Sequence, residues 1–403
     1  METKPKDGME KTKIGLWKPL VYSFRACYYG DWPLLDTQGH EFTDADSVDF
    51  KMRGKPLAGR YKFVPWVLKG DMDFAINHFE MPGHWSSGHP CPACPCVRED
   101  GSLNSWNNFG PLAVWKGFVF EDMLPYRQHC AFKGKVVHQI HEPLDNNGLG
   151  MHIKSSYKDS LHVVDLGVAM HIGGNVLYLL CYQNLPGSPS DNIAQVWGEV
   201  GEIYKARLTT SQFSLLSLNS FCDPRSPHAD FPLLKGKGAE IRHVMPILWT
   251  IWRKHMKPDT EYDRHVERVL KHICKFYELL EYKNADGHYP FRLPAEVSTI
   301  LIKSVDDLLT HYTHLAFVSV SADRKVMRWA VVPKHHYFWH LARESADINT
   351  RFTWCYANED FVGKMAVIGT STRHGLPAAY RSKAISGKYA LGLALRLHHA
   401  SAS

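Results

Sequence analysis

The run Cys91-Pro92-Ala93-Cys94-Pro95-Cys96 packs three thiols into six residues. Cys-x-x-Cys places two thiolates on one tight turn, at a separation that suits tetrahedral zinc. Cys96, His84 and His89 are the nearest candidates to complete the shell, and Cys130, His138 or His141 could contribute from further on. A redox Cys-x-x-Cys would normally open a helix, which prolines at 90, 92 and 95 prevent here. Unligated thiols are the plainer alternative.

Carboxylates form the second set. Asp71 follows an apolar run in Lys69-Gly70-Asp71-Met72-Asp73, the position of a metal ligand at a strand end or of an ordinary turn aspartate. Asp159 and His162 form Asp-x-x-His, whose plain reading is an N-cap aspartate with a histidine in the first turn. Glu359 and Asp360 are the last acidic residues. Beyond them come Lys364, Arg373, Arg381, Lys383, Lys388 and Arg396, six charges that equal the net charge of the whole chain, +6. Residues 1–360 are therefore close to neutral. A carboxylate opening a basic, acid-free tail can hold a metal ion beside a polyanion, and phosphodiester backbones are the commonest such partner. A solvated basic helix is the plain alternative. His335, His336 and His340, in Pro333-Lys334-His335-His336-Tyr337-Phe338-Trp339-His340-Leu341, taken singly read as packing residues on a strand or helix.

The elements that must position these groups are unevenly legible. Residues 1–13 read as a frayed tail, and 16–63 as irregular structure with short strands. Tyr61 to Leu68 reads as a buried segment that delivers Asp71. Residues 82–111 are a Pro-, Gly- and Cys-rich loop, and Val114 to Leu124 begins as a strand. Asp159 to Cys181 is apolar on most faces, which predicts a buried helix. Helices follow at 193–204 and 241–256. The clearest period places Val266, Val269, Leu270, Ile273, Phe276, Tyr277 and Leu280 on one face. Val297, Ile300, Leu301, Val305, Leu308, Leu309 and Tyr312 make a second such face after Pro294.

With 403 residues, 44% hydrophobic and 22% charged, the chain can bury a large core and is not disordered in bulk. No run of about 18 apolar residues predicts a membrane span. Nine cysteines and no apolar leader at the N-terminus predict a reducing, intracellular compartment.

The order of the motifs is informative: Gly-Asp, Cys-x-x-Cys, Asp-x-x-His, a helical block, Pro-Lys-x-His-Tyr-x-x-His-Leu, then Trp354-Cys355 leading to Glu359 and Gly363. Over about residues 60–365 this order resembles cut-and-paste transposases of the CACTA and Plavaka type. The resemblance implies an α/β, RNase H-like mixed sheet with a large helical insertion. It divides the chain into a polar, irregular segment (1–60), an RNase H-like part with the zinc loop (61–165), the insertion (166–320) and an RNase H-like C-terminal part with the basic tail (321–403). It matches Asp71 to the family's second aspartate, Asp159 and His162 to its Asp-x-x-His, and Glu359 to the glutamate of the DDE triad. Catalytic Mg²⁺, structural Zn²⁺ at Cys91 and Cys94, DNA as partner and a nuclear location follow. Lys364, Arg373, Arg381, Lys383 and Lys388 would bind DNA; homo-oligomers are compatible, and no membrane is involved. The departure is the first aspartate. Asp31, Asp36 and Asp49 lie in polar or turn-like surroundings, so the resemblance implies a chain lacking its first strand, a truncated or inactive copy. A non-catalytic zinc-containing DNA-binding protein and an unrelated interaction protein are the rival readings.

Overall fold

The computed structural model describes residues 7–59, 61–63, 67–77, 86–117, 156–322 and 327–372, with 380, 384, 387–389 and 391 beyond them. Most of the described residues are helical, against about a third in an average domain. Strand pairing among the described residues is a two-stranded parallel sheet. The chain divides into two compact units, Met1–Thr353 and Trp354–Ser403.

In the first unit α1 spans Asp7–Tyr29 and α2 spans Val48–Met52. The expected frayed tail is therefore helix from residue 7 to 29, whereas 30–47 and 53–59 are irregular, with isolated bridges in place of short strands. An interior proline removes one helical hydrogen bond, yet α1 runs through Pro19, and the Ser23 hydroxyl donates to the Pro19 carbonyl at 2.9 Å. Strand β1 is Leu68–Gly70, followed by α3, Met72–Asn77. Val114–Gly117 is a turn of 3₁₀ helix rather than the start of a strand. Strand β2 is Ser156–Lys158 and pairs in parallel with β1, Gly70 opposite Lys158.

Helix α4, Leu161–Asn184, is the central element. It is long and apolar enough to cross a membrane, but 83% of its apolar window is buried inside the protein, the environment of a core helix. Its first two turns, Leu161–Val168, are wound as π-helix with a kink at Leu166. Around it pack α5 (Pro189–Arg207), α6 (Gly238–His255), α7 (Glu261–Leu280) and α9 (Pro333–Glu344). Helix α8, Ala295–Ala322, forms an extended pair with α7.

Every residue of the predicted α7 face is buried. On α8 the prediction holds except at Ile300, which is 49% exposed. At about 100° per residue, Ile300 sits on the edge of the stripe that Leu301 centres. Helix α7 starts where Thr260 accepts the Asp263 amide, and Asp263 in turn accepts the Lys257 amide at 2.7 Å. These bonds satisfy donors that a helix start would otherwise leave bare.

The second unit carries α10, Tyr356–Thr372.

Candidate functional site

Two aspartates leave the sheet side by side. Because Gly70 pairs with Lys158, the next residues, Asp71 and Asp159, emerge at the same C-terminal edge of two strands whose spacing is about 4.8 Å. Both line one cavity of about 550 Å³, with His162, Leu166, Met170, His171 and Lys334. Each also caps a helix. Asp71 Oδ1 accepts the Phe74 amide at 2.6 Å. Asp159 accepts the Leu161 amide at 3.0 Å and the His162 amide at 3.2 Å, and its Oδ2 lies 2.5 Å from His162 Nδ1. The N-cap reading of Asp159 is thus realised, and it coexists with a place on the cavity wall. The Asp159 side chain is fully buried, and that of His162 is 22% exposed.

The cavity's cation is Lys334. Its Nζ donates to the Leu166 carbonyl at 2.6 Å, at the residue where the helix kinks. Gly167 makes this approach feasible, since a Cβ there would sit 2.7 Å from Lys334 Cδ and 3.0 Å from the His162 carbonyl. Burial pushes the Lys334 ammonium below its ordinary range, opposed by the charges of Asp71 and Asp159. Burial, with help from Lys334, pushes His171 down to about 4, so that imidazole is neutral at pH 7.

A second cluster lies where the cysteine loop meets α9. One ligand atom each from Cys91, Cys94, His336 and His340 lies within 4.8 Å of the other three. Cys94 Sγ is 3.2 Å from His336 Nε2, and the two Nε2 atoms are 3.1 Å apart. Bonds of about 2.3 Å to sulfur and 2.0–2.1 Å to nitrogen around a tetrahedral zinc imply edges of about 3.3–3.8 Å. The Cys94–His336 and His336–His340 separations fall a few tenths of an ångström short of those edges and the remaining ones stay within 4.8 Å, so the donor set fits the ion. His336 Nδ1 faces the Trp106 carbonyl at 2.9 Å. A carbonyl only accepts, so Nδ1 carries the proton and the Nε2 lone pair points into the cluster. Burial alone would raise the Cys91 thiol. Hydrogen bonds with Cys94 and Cys96 and the charges of His340 and His336 outweigh it and hold Cys91 well below its ordinary range.

The local sequence explains why the loop can do this. The Ala93 amide donates to Cys91 Sγ at 3.3 Å, and Val97 pairs with Ser105 to close the loop. Trp115, fully buried, donates to the Ser105 carbonyl and packs tilted against His336 with centroids 4.2 Å apart. The Tyr337 hydroxyl donates to the Pro90 carbonyl at 2.8 Å. Helix α9 thus serves three places: Lys334 enters the cavity, His336 and His340 face the thiols, and Glu344 pairs with Lys158 and accepts its amide at 3.0 Å.

Of the ligands expected from sequence, Cys91 and Cys94 belong to the cluster. Cys96 is buried and hydrogen-bonded to Cys91 but is not one of the four. His89 is exposed, and His84, Cys130, His138 and His141 lie outside the described residues. The fourfold set takes its histidines from α9, which the sequence reading assigned to packing. The signal was present as His-x-x-x-His, one helical turn apart. What it lacked was proximity, because 242 positions separate Cys94 from His336. Glu359 belongs to the second unit, exposed on α10, where its amide donates to Cys355 at 2.8 Å. On the same helix Lys364 pairs with Asp360, and Lys388 reaches Ser371. Arg373, Arg381 and Lys383 lie outside the described residues.

Against protein-family models, curated proteins and solved structures, the chain has no significant match.

Proposed function

We propose that the first unit is the metal-ion end of a DDE-type transposase domain, an RNase H-like α/β core that acts on DNA phosphodiesters. One observation carries the reading: Asp71 and Asp159 leave adjacent parallel strands at the same edge and share one cavity. It also revises the carry-over from sequence. Asp71 takes the part of the first aspartate and Asp159 that of the second, so no strand upstream of β1 is needed to supply the pair.

The donors fit a hard cation, being carboxylate oxygens with Asp159 fixed by two backbone amides. Mg²⁺ held by Asp71 and Asp159 would supply charge to stabilise the leaving oxygen and would acidify water. The chain's own groups do the rest. His162 holds a proton against Asp159 Oδ2, which keeps that carboxylate oriented. Lys334 brings a positive charge to the cavity from the side of α9. Val163, Leu166, Met170 and Leu233 form an apolar wall that limits water.

We assign Zn²⁺ to Cys91, Cys94, His336 and His340. With four protein ligands no position stays open, so this ion is structural: it clamps the loop to α9, whose first turn places Lys334. A second reading, a zinc-containing DNA-binding protein without catalysis, is favoured by the capping bonds that occupy both oxygens of Asp159.

The two readings part in one assay. Purified protein should contain about one zinc per chain and nick supercoiled plasmid in Mg²⁺. Asp71→Asn and Asp159→Asn should each reduce nicking by at least about 100-fold with zinc retained. Nicking that survives both substitutions, or that wild type never shows, removes the catalytic reading. Glu359→Gln in the same assay tests the third carboxylate that the resemblance assigns.

A further inference from the structure

The nearly neutral body of the chain conceals a segregated charge. Two adjoining clefts cross α6, α7 and α8, sharing Trp249, Cys274 and Glu278 in their walls. They measure about 870 and 440 Å³. Together seven basic and three acidic side chains line them. The three acidic groups are already neutralised from within: Glu281 by Arg242 at 2.5 Å, Glu278 by Lys275 at 2.7 Å and Asp307 by Lys303 at 3.2 Å. Lys254 is answered by Glu199 at 3.0 Å. That leaves Arg207, Arg253 and Lys271, all exposed and without a carboxylate in ion-pair reach among the described residues.

We infer that this groove is a second DNA-binding surface, on the helical block and separate from the aspartate cavity. It takes from the preceding reading only that the partner is DNA. Three features favour a phosphate backbone over an acidic protein segment. Uncompensated charge comes from three separate helices, so it follows a path rather than forming one point. Two of the three free cations are arginines, whose planar fork matches phosphate oxygens. The shared wall is Trp249, with the Arg253 guanidinium 5.9 Å from its ring and its indole N–H on Glu267, which leaves one aromatic between two basic stretches. Deeper in the groove Cys274 is inert, its thiol pushed up to about 12 by burial.

The test uses the full chain and a labelled 24-bp duplex of arbitrary sequence, titrated from 50 to 200 mM KCl without added Mg²⁺. The triple variant Arg207→Gln, Arg253→Gln, Lys271→Gln should flatten the slope of log affinity against log salt by about 3. It should weaken binding at 100 mM on the order of 100-fold. Zinc content and melting should match wild type. Should the triple variant fail to fold, Lys271→Gln alone must flatten the slope by about 1. Unchanged affinity and slope overturn the inference, as does absent binding by wild type at 50 mM. Equal competition by poly-glutamate of matching length would assign the groove to an acidic protein instead. If the variant binds normally while Asp71→Asn abolishes nicking, only the groove falls. If binding depends on the groove in a protein that never nicks, only the catalytic reading falls.

Discussion

The α7–α8 pair and the junction of the cysteine loop with α9 are both buried, yet they are held by opposite means. In the pair, Val266, Val269, Leu270 and Ile273 meet Leu301, Val305, Leu308 and Leu309, all apolar and almost wholly inaccessible. Its closing contacts are local, joined across the single connection of residues 281–294. At the junction the buried groups are thiols, imidazoles, a tyrosine hydroxyl and an indole N–H, brought from segments more than 200 residues apart. Apolar packing is non-directional and tolerates small shifts. A polar junction needs every partner in place, because each group left bare costs its full desolvation. The first region should therefore fail gradually under mild substitution, and the second all at once when its centre is removed.

The harshest way to break the comparison is a charge inside the pair. Leu270→Asp or Leu301→Asp buries an unpaired carboxylate, at more than about 4 kcal/mol against a total stability of about 5–15 kcal/mol. Circular dichroism should show lost helicity in both. A variant that melts within a few degrees of wild type would show that this core is not decisive.

Removing the junction's centre comes next. Cys91→Ser or His340→Gln should each abolish binding of the proposed zinc and lower stability on the order of 4 kcal/mol. Hydrogen exchange should rise in residues 86–117 and in α9, while α7 and α8 keep their protection. Uniform loss of protection would mean that the two regions are one cooperative unit.

Acid sharpens the comparison from within the pair, which carries one polar seam. His265 Nδ1 lies 3.0 Å from His311 Nδ1, and the His265 ring stacks on His314 at 4.1 Å. Burial, then the charge of His265, lowers His311 from 6.5 to about 4, and burial also lowers His265. A depressed histidine stabilises the fold fully above pH 6.5, where both folded and unfolded forms are neutral. As pH falls from 6.5 towards 4 the unfolded chain binds more protons, so stability declines across that window. The melting temperature of wild type should fall there, and His311→Gln should flatten the decline. Identical profiles would remove the seam as the cause.

The smallest effect belongs to the surface. Lys303 and Asp307, 3.2 Å apart with side chains 76% and 37% exposed, should contribute no more than about 0.5 kcal/mol. Lys303→Ala should leave the melting curve in place. A shift of several degrees would mean that the groove edge is part of the core.

The sequence determined by itself whatever repeats within a few turns of chain. The faces of α7 and α8, the buried character of α4 and the two thiols of Cys91 and Cys94 were legible, because period and spacing act between near neighbours. Even there the edge residue Ile300 and the helix over Asp7–Tyr29 were misjudged, since local propensity ranks below packing. Only the tertiary structure decided which distant groups meet. It set Asp159 beside Asp71 through the register of two three-residue strands, too short to announce themselves by alternation. It chose His336 and His340 over His89 as companions of the cysteines, since α9 docks against the loop through Tyr337 and Trp115. It also gathered Arg207, Arg253 and Lys271 into one groove, from stretches of chain whose charges cancel when simply counted. Composition records how many charges a chain holds, and folding decides which of them lie beside a partner of opposite sign.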